Sequence, residues 1–132
     1  MGKTLLLLGL AGAAGTYARV GLSRGLQHIT GWSFPVGTLA ANCLGCFLFG
    51  LLWLAVEEGR MLTEETRWLL TLGFLGAFTT FSTFAFDSGN YLRHGEWVQA
   101  AGNVMANNGL GILCVFAGFR VAQAMISGQA DA

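Results

Sequence analysis

Charge is scarce in this chain. Of its 132 residues only 11% are Asp, Glu, Lys or Arg, whereas 54% are hydrophobic, and soluble domains carry about 25% charged residues. With a mean hydropathy of +0.58, that shortage excludes an ordinary water-soluble globule. It predicts an integral membrane protein. Cysteine is also sparse: the chain has three, too few for a disulfide framework, and Cys43 and Cys46 form a C-x-x-C with no second ligand pair, which reads as small packing residues. Catalytic groupings are missing as well. No nucleophile, base and orienting group occur together, no glycine loop follows a strand, and His28 and His94 fall in predicted loops without ligand-spaced partners, so an enzyme is not expected. There is no internal repeat and no low-complexity segment.

What is abundant is apolar length. Four stretches, Thr4–Leu22, Phe34–Val56, Trp68–Leu92 and Trp97–Ile126, each approach or exceed the ~20 residues needed to cross a bilayer. The fold class expected is therefore all-α and integral to the membrane, a single domain of four transmembrane helices. The first stretch follows Lys3 and resembles a signal peptide, but it continues through Gly12, Gly15 and Arg19 without a convincing cleavage site and is read as a retained helix. Twenty glycines, with small residues at Gly9, Ala13, Gly37, Ala41, Gly45, Gly73 and Ala77, suit close helix approach in lipid. The sizeable connector runs from Glu57 to Arg67, where Thr63 is a plausible helix cap.

Against this apolar background the polar groups stand out. Lipid offers hydroxyls, amides and freed backbone no hydrogen-bond partner, so each needs one in protein, an ion or a water-filled path. Gln99, Asn103 and Asn107 recur at i,i+4 ahead of Gly111; Thr38 and Asn42 share a face of the second helix; Thr79, Thr83 and Asp87 share one of the third. Any one of these residues could be interhelical glue. Seams on three helices point further, to a permeation route. Its amide and hydroxyl donors, without an intramembrane Lys, suit a small anion, and Phe81 and Phe84 at i,i+3 could turn positive ring edges toward it. Gly73 and Gly76, followed by Thr79, Thr80, Ser82 and Thr83, favour an interrupted third helix. Carbonyls freed at Gly76 and Thr79 are candidate sodium ligands, and Arg19 either snorkels or sits in an anion-concentrating vestibule.

Basic residues give no clear orientation. Lys3, Arg60, Arg67 and Arg120 flank one side and Arg19, Arg24 and Arg93 the other, so the positive-inside rule is nearly balanced. A chain that inserts both ways could pair with an inverted copy of itself. Four helices scarcely wall off a polar path alone, so oligomerisation is expected.

At Gly37-Thr38-Leu39-Ala40-Ala41-Asn42-Cys43-Leu44-Gly45 and across Gly73-Phe74-Leu75-Gly76-Ala77-Phe78-Thr79-Thr80-Phe81-Ser82-Thr83-Phe84, the chain closely resembles the Fluc/CrcB fluoride channels. The likeness covers nearly the whole chain, including a Gly-Thr-Tyr-Ala-Arg ending at Arg19. It implies a dual-topology homodimer with two antiparallel fluoride routes, a broken third helix and a structural sodium ion at the dimer centre. Carried over by motif, Gly76 and Thr79 supply sodium-binding carbonyls, Phe81 and Phe84 the aromatic box edges, Asn42 a pore amide, and Ser82 and Thr83 hydroxyl donors. Thr38 and Asp87 fall on the polar track, Asp87 where the family often has glutamate. Helix four departs from the family pattern at Asn103, Asn107 and Gly111. The resemblance implies passive fluoride export across a prokaryotic inner membrane. The rival is a small proton-coupled drug or cation exporter, which needs a membrane-embedded carboxylate that the first helix lacks.

Overall fold

The computed structural model describes residues 2–57 and 62–130; the part of the sizeable connector that contains Arg60 lies outside them. Among the described residues all regular structure is helical, and four segments are long and apolar enough to cross a membrane: Gly2–Thr30, Val36–Glu57, Glu64–Arg93 and Trp97–Gly128. The first helix, α1 (Gly2–Thr30), runs well past the expected end at Leu22. Arg24, Gln27 and His28 end the apolar pattern but are compatible with helical backbone, so the helix continues into the polar interface, and His28 lies in its last turn rather than in a loop. It stops at Gly31, whose φ of 61° is left-handed and whose N–H bonds the Gln27 carbonyl at 3.0 Å. Gln27 then ties the turn to the next helix, donating to the Phe34 carbonyl at 3.1 Å and accepting from the Gly37 N–H at 3.4 Å.

Helix α2 (Val36–Glu57) packs most extensively against α6 (Trp97–Ala130). Glycine permits that pairing. A methyl group at Gly118 would overlap the Phe47 carbonyl, and one at Gly50 the Val115 carbonyl, so the two backbones touch across the interface. A methyl at Gly15 of α1 would likewise overlap the Phe74 carbonyl. Gly9, by contrast, has open space beside it and supports no close approach within the chain.

The third span is not one helix. Thr63 caps α3 (Glu64–Trp68) by accepting the Thr66 N–H at 3.2 Å. A π-helical segment follows at Leu69–Leu75, then the single turn α4 (Gly76–Phe78), and after an interruption α5 (Phe81–Arg93). The interruption falls at Thr79 and Thr80, whose φ,ψ of −86°,157° and −147°,109° are extended. Gly76, at −60°,−33°, is helical. The expectation of a broken helix therefore holds, but the glycines do not make the break: Gly73 lies against Ala11 and Leu8 of α1, where its missing side chain admits the neighbouring helix. Ala41, Leu75 and Phe78 form the buried core beneath the break.

One chain leaves much apolar surface uncovered. Its accessible area of 8388 Å² for 14.0 kDa exceeds the about 6,700 Å² expected of a soluble monomer of that mass. Tyr17, Phe81, Phe86 and Met105 are all more than 70% exposed. Lipid or further protein must cover them.

Candidate functional site at the helix break

Two extended residues inside a membrane span free backbone groups that lipid cannot satisfy. Asn42 of α2 takes them. Its Oδ1 accepts the Thr80 N–H at 2.8 Å while its Nδ2 donates to the Thr80 carbonyl at 3.2 Å, so one side-chain amide pairs with both main-chain groups of Thr80. Because a backbone N–H can only donate, this contact also fixes which end of the carboxamide is oxygen. The second Nδ2 proton goes to Asn107 Oδ1 at 2.9 Å.

From there the bonds run in one direction. Asn107 Nδ2 donates to both the side-chain and main-chain oxygens of Asn103, at 2.9 and 3.1 Å. Asn103 Nδ2 donates to Ser88 Oγ at 2.9 Å and to the Phe84 carbonyl at 3.4 Å, and Ser88 Oγ donates to that same carbonyl at 2.9 Å. Asn103 is 0% exposed. A buried amide in an apolar setting is costly unless its hydrogen bonds are made, and here they are. The relay ties α2, α6 and α5 together around the break.

Other freed groups find partners too. Thr80 caps α5: its Oγ1 accepts the Thr83 N–H at 3.2 Å and donates to Thr83 Oγ1 at 2.9 Å. Thr79 Oγ1 returns to the Leu75 carbonyl at 3.1 Å. Arg19 reaches from α1 to give its Nε–H to the Ala77 carbonyl at 3.1 Å, placing a guanidinium at the negative end of α4. It lines neither of the two cavities described next.

Most of the residues singled out from the sequence divide between those two spaces. A groove of about 290 Å³ along the break is lined by Asn42, Thr79, Thr80, Phe81, Phe84 and Asn107, together with Asn108 and Val115. The rings of Phe81 and Phe84 meet edge-on, centroids 5.5 Å apart at 64°, yet Phe84 is buried and Phe81 is 78% exposed, projecting away from its own chain. A second, more polar cavity of about 370 Å³ brings Thr38, Thr83 and Asp87 together with Ser23, Arg24 and Gln27. Ser82 is exposed and lines neither space, its Oγ 3.4 Å from Thr80 Oγ1. Gly111, at the end of the helix-four stripe, packs toward Cys46 Sγ.

The family model for the CrcB-like protein, Camphor Resistance (CrcB), matches residues 6–119. The chain belongs to the CrcB family. Among curated CrcB relatives, the fluoride-specific ion channel FluC of Nitrosococcus oceani is 49% identical over 123 residues, covering 93% of this chain and 98% of that one. The protein of the same description from Solidesulfovibrio magneticus is 47% identical over 116 residues (88% and 93%), and that of Geobacter sulfurreducens 41% over 120 (91% and 97%). These relatives match along nearly their full length.

Several features of this CrcB chain were not visible in its residue pattern. Thr80 is both the cap of α5 and the residue clamped by Asn42; a threonine followed by a new helical run was the only signal. Ser88 joins the amide relay although nothing in its spacing marks it. Asn108, whose i−4 neighbour is Val104, falls outside the polar stripe, and yet it lines the groove.

Proposed function

We propose that this chain is a fluoride-selective channel that lets fluoride leave a prokaryotic cell passively across the inner membrane, lowering its toxicity. The observation that carries this reading is the open groove at the break, where Asn42, Thr80, Phe81, Phe84 and Asn107 meet at mid-span. Fluoride is small and strongly hydrated, so its passage needs donors and positive ring edges to replace lost water. The groove sets the Phe81 and Phe84 rings beside the carboxamides of Asn42, Asn107 and Asn108, and larger halides would be poorly compensated there. Curated relatives up to 49% identical are named fluoride-specific ion channels, which supports the same substrate.

The working unit in this reading is an antiparallel homodimer. Phe81 projects outward from its own chain, 78% exposed, and the groove lies open beside it. A second, inverted copy would close the groove and bring its own Phe81 to it, giving two routes of opposite direction. The groove residues Asn42, Phe81, Phe84 and Asn107 line the narrow part. Thr38, Thr83 and Asp87, in the second cavity with Arg24, form the approach to it, and Ser82 offers a hydroxyl from the exposed face of α5. Asn103 and Arg19 support the route by holding the relay and the end of α4 in place.

A sodium ion would hold the centre. Among the described residues no cluster of His, Cys, Asp or Glu can bind a metal, so a cation there would rely on main-chain oxygens. The Ala77 and Thr80 carbonyls at the break are taken by Arg19 and Asn42, and in this reading Gly76 and Thr79 offer theirs to the ion. Two oxygens are too few for a sodium shell, which is completed if the partner copy contributes the same pair. The positive Arg19 nearby limits how tightly it can bind.

The exporter alternative would need its coupling carboxylate in the first helix, and α1 contains no Asp or Glu. Reconstitution decides between them. Liposomes holding only this protein should release fluoride, read with a fluoride electrode, without a pH gradient and with little chloride loss. Vesicles tight to fluoride, or leaking both halides equally, would reject the channel.

A further inference from the structure

An anion crossing lipid is stabilised by donors that are free to turn to it, so the unspent protons of the groove decide which side chains can serve. Asn42 has none left on its amide nitrogen: one goes to the Thr80 carbonyl and one to Asn107 Oδ1. Asn107 has none either, since both are directed at the oxygens of Asn103. The hydroxyls of Thr79 and Thr80 are committed to the Leu75 carbonyl and to Thr83 Oγ1. Asn108 is different. It lines the same groove, it is exposed, and its Nδ2 makes a single bond, 2.8 Å to the Val104 carbonyl one turn back on α6. A carboxamide nitrogen carries two protons, which leaves one N–H of Asn108 uncommitted.

We infer that Asn108 is an anion-contacting residue of the groove, presenting that free N–H to fluoride, and that Asn42 and Asn107 shape the passage chiefly by holding the break. This rests on the channel reading above and adds to it a donor outside the Gln99–Asn103–Asn107 stripe. The bond to Val104 fixes the carboxamide against α6, so the remaining proton is presented without a large loss of side-chain freedom. The contact also explains an otherwise awkward placement. An exposed asparagine within a span that must cross hydrocarbon is expensive against lipid and stable against a polar path.

The test uses reconstituted full-length protein, fluoride efflux per dimer, the fluoride concentration at half-maximal flux, and the thermal midpoint. Asn108→Leu should slow efflux at least tenfold and raise the half-saturating concentration, with dimer and thermal midpoint unchanged. Asn108→Gln, which keeps an amide donor, should recover flux to within about threefold of wild type. Asn103→Leu should instead lower the thermal midpoint, because it breaks the buried relay. Wild-type flux and half-saturation in Asn108→Leu would overturn the inference while leaving the channel intact. So would a lowered thermal midpoint with unchanged turnover per dimer, which would make Asn108 a packing contact. Wild-type vesicles that fail to release fluoride would overturn the channel reading itself, a result distinguishable from both.

Discussion

Replacing Asn42 by alanine removes three hydrogen bonds at once: two to the Thr80 backbone at 2.8 and 3.2 Å and one to Asn107 at 2.9 Å. The main-chain N–H of Thr80 then faces an apolar neighbourhood without its partner, at a cost of about 1–3 kcal/mol. The interhelical amide contact to Asn107 adds roughly 0.6–1.7 kcal/mol. A water entering the vacated space recovers part of this, which leaves about 1–4 kcal/mol, or a shift of roughly 5- to 700-fold away from the conformation with an ordered break. The fold should survive, since the glycine contacts between α2 and α6 at Gly50 and Gly118 do not involve Asn42. Asn42→Ala should therefore elute at the wild-type position from a sizing column and lose nearly all fluoride efflux from liposomes. Flux equal to wild type in the folded variant would show that the break does not depend on this clamp, and the reasoning from backbone satisfaction would be wrong.

Phe81→Ile should also abolish fluoride release while leaving the protein folded, because an aliphatic side chain has no positive edge; retained flux in liposomes would contradict the aromatic assignment. Gly118→Ala, whose new methyl meets the Phe47 carbonyl, should lower the thermal midpoint sharply or prevent recovery of folded protein, whereas Gly25→Ala, with open space beside it, should leave the melting curve within a degree or two. Thr80→Val removes the cap on Thr83 and should cost about 1 kcal/mol, seen as a lower midpoint with unchanged elution from a sizing column. Exchange of sodium for a bulky organic cation during purification and assay should reduce both thermal stability and fluoride flux; indifference to that exchange would remove the case for a central cation.

The four spans were legible because twenty apolar residues in a row have few other uses. Their ends were less so. Hydropathy registers transfer into lipid and not backbone conformation, which is why α1 outlasts its apolar pattern to reach Thr30. The π-helical segment at Leu69–Leu75 has no compositional mark, since a shift of one residue in hydrogen-bond register changes no side chain. The interruption was foreseeable from the two glycines and the run of hydroxyl residues after them, but its position at Thr79 and Thr80 was not, because the deciding partner is an amide on another helix. Asn103 and Asn107 share a stripe by i,i+4 spacing, and yet one is sealed between helices while the other reaches the groove. The difference arises from how closely α5 lies against α6 at Ser88, a tertiary fact that helical periodicity cannot hold.

The separation of Asn42 from its partners along the chain has a consequence for biosynthesis. The clamp needs Thr80, 38 positions later, and the relay needs Asn107, 65 positions later. At ribosomal speeds of about 5–20 residues per second, α2 waits roughly 3–13 s for the last span to emerge. Throughout that interval its carboxamide must be sheltered by the insertion machinery or by a stray water, and the channel's working geometry can form only when translation is almost finished.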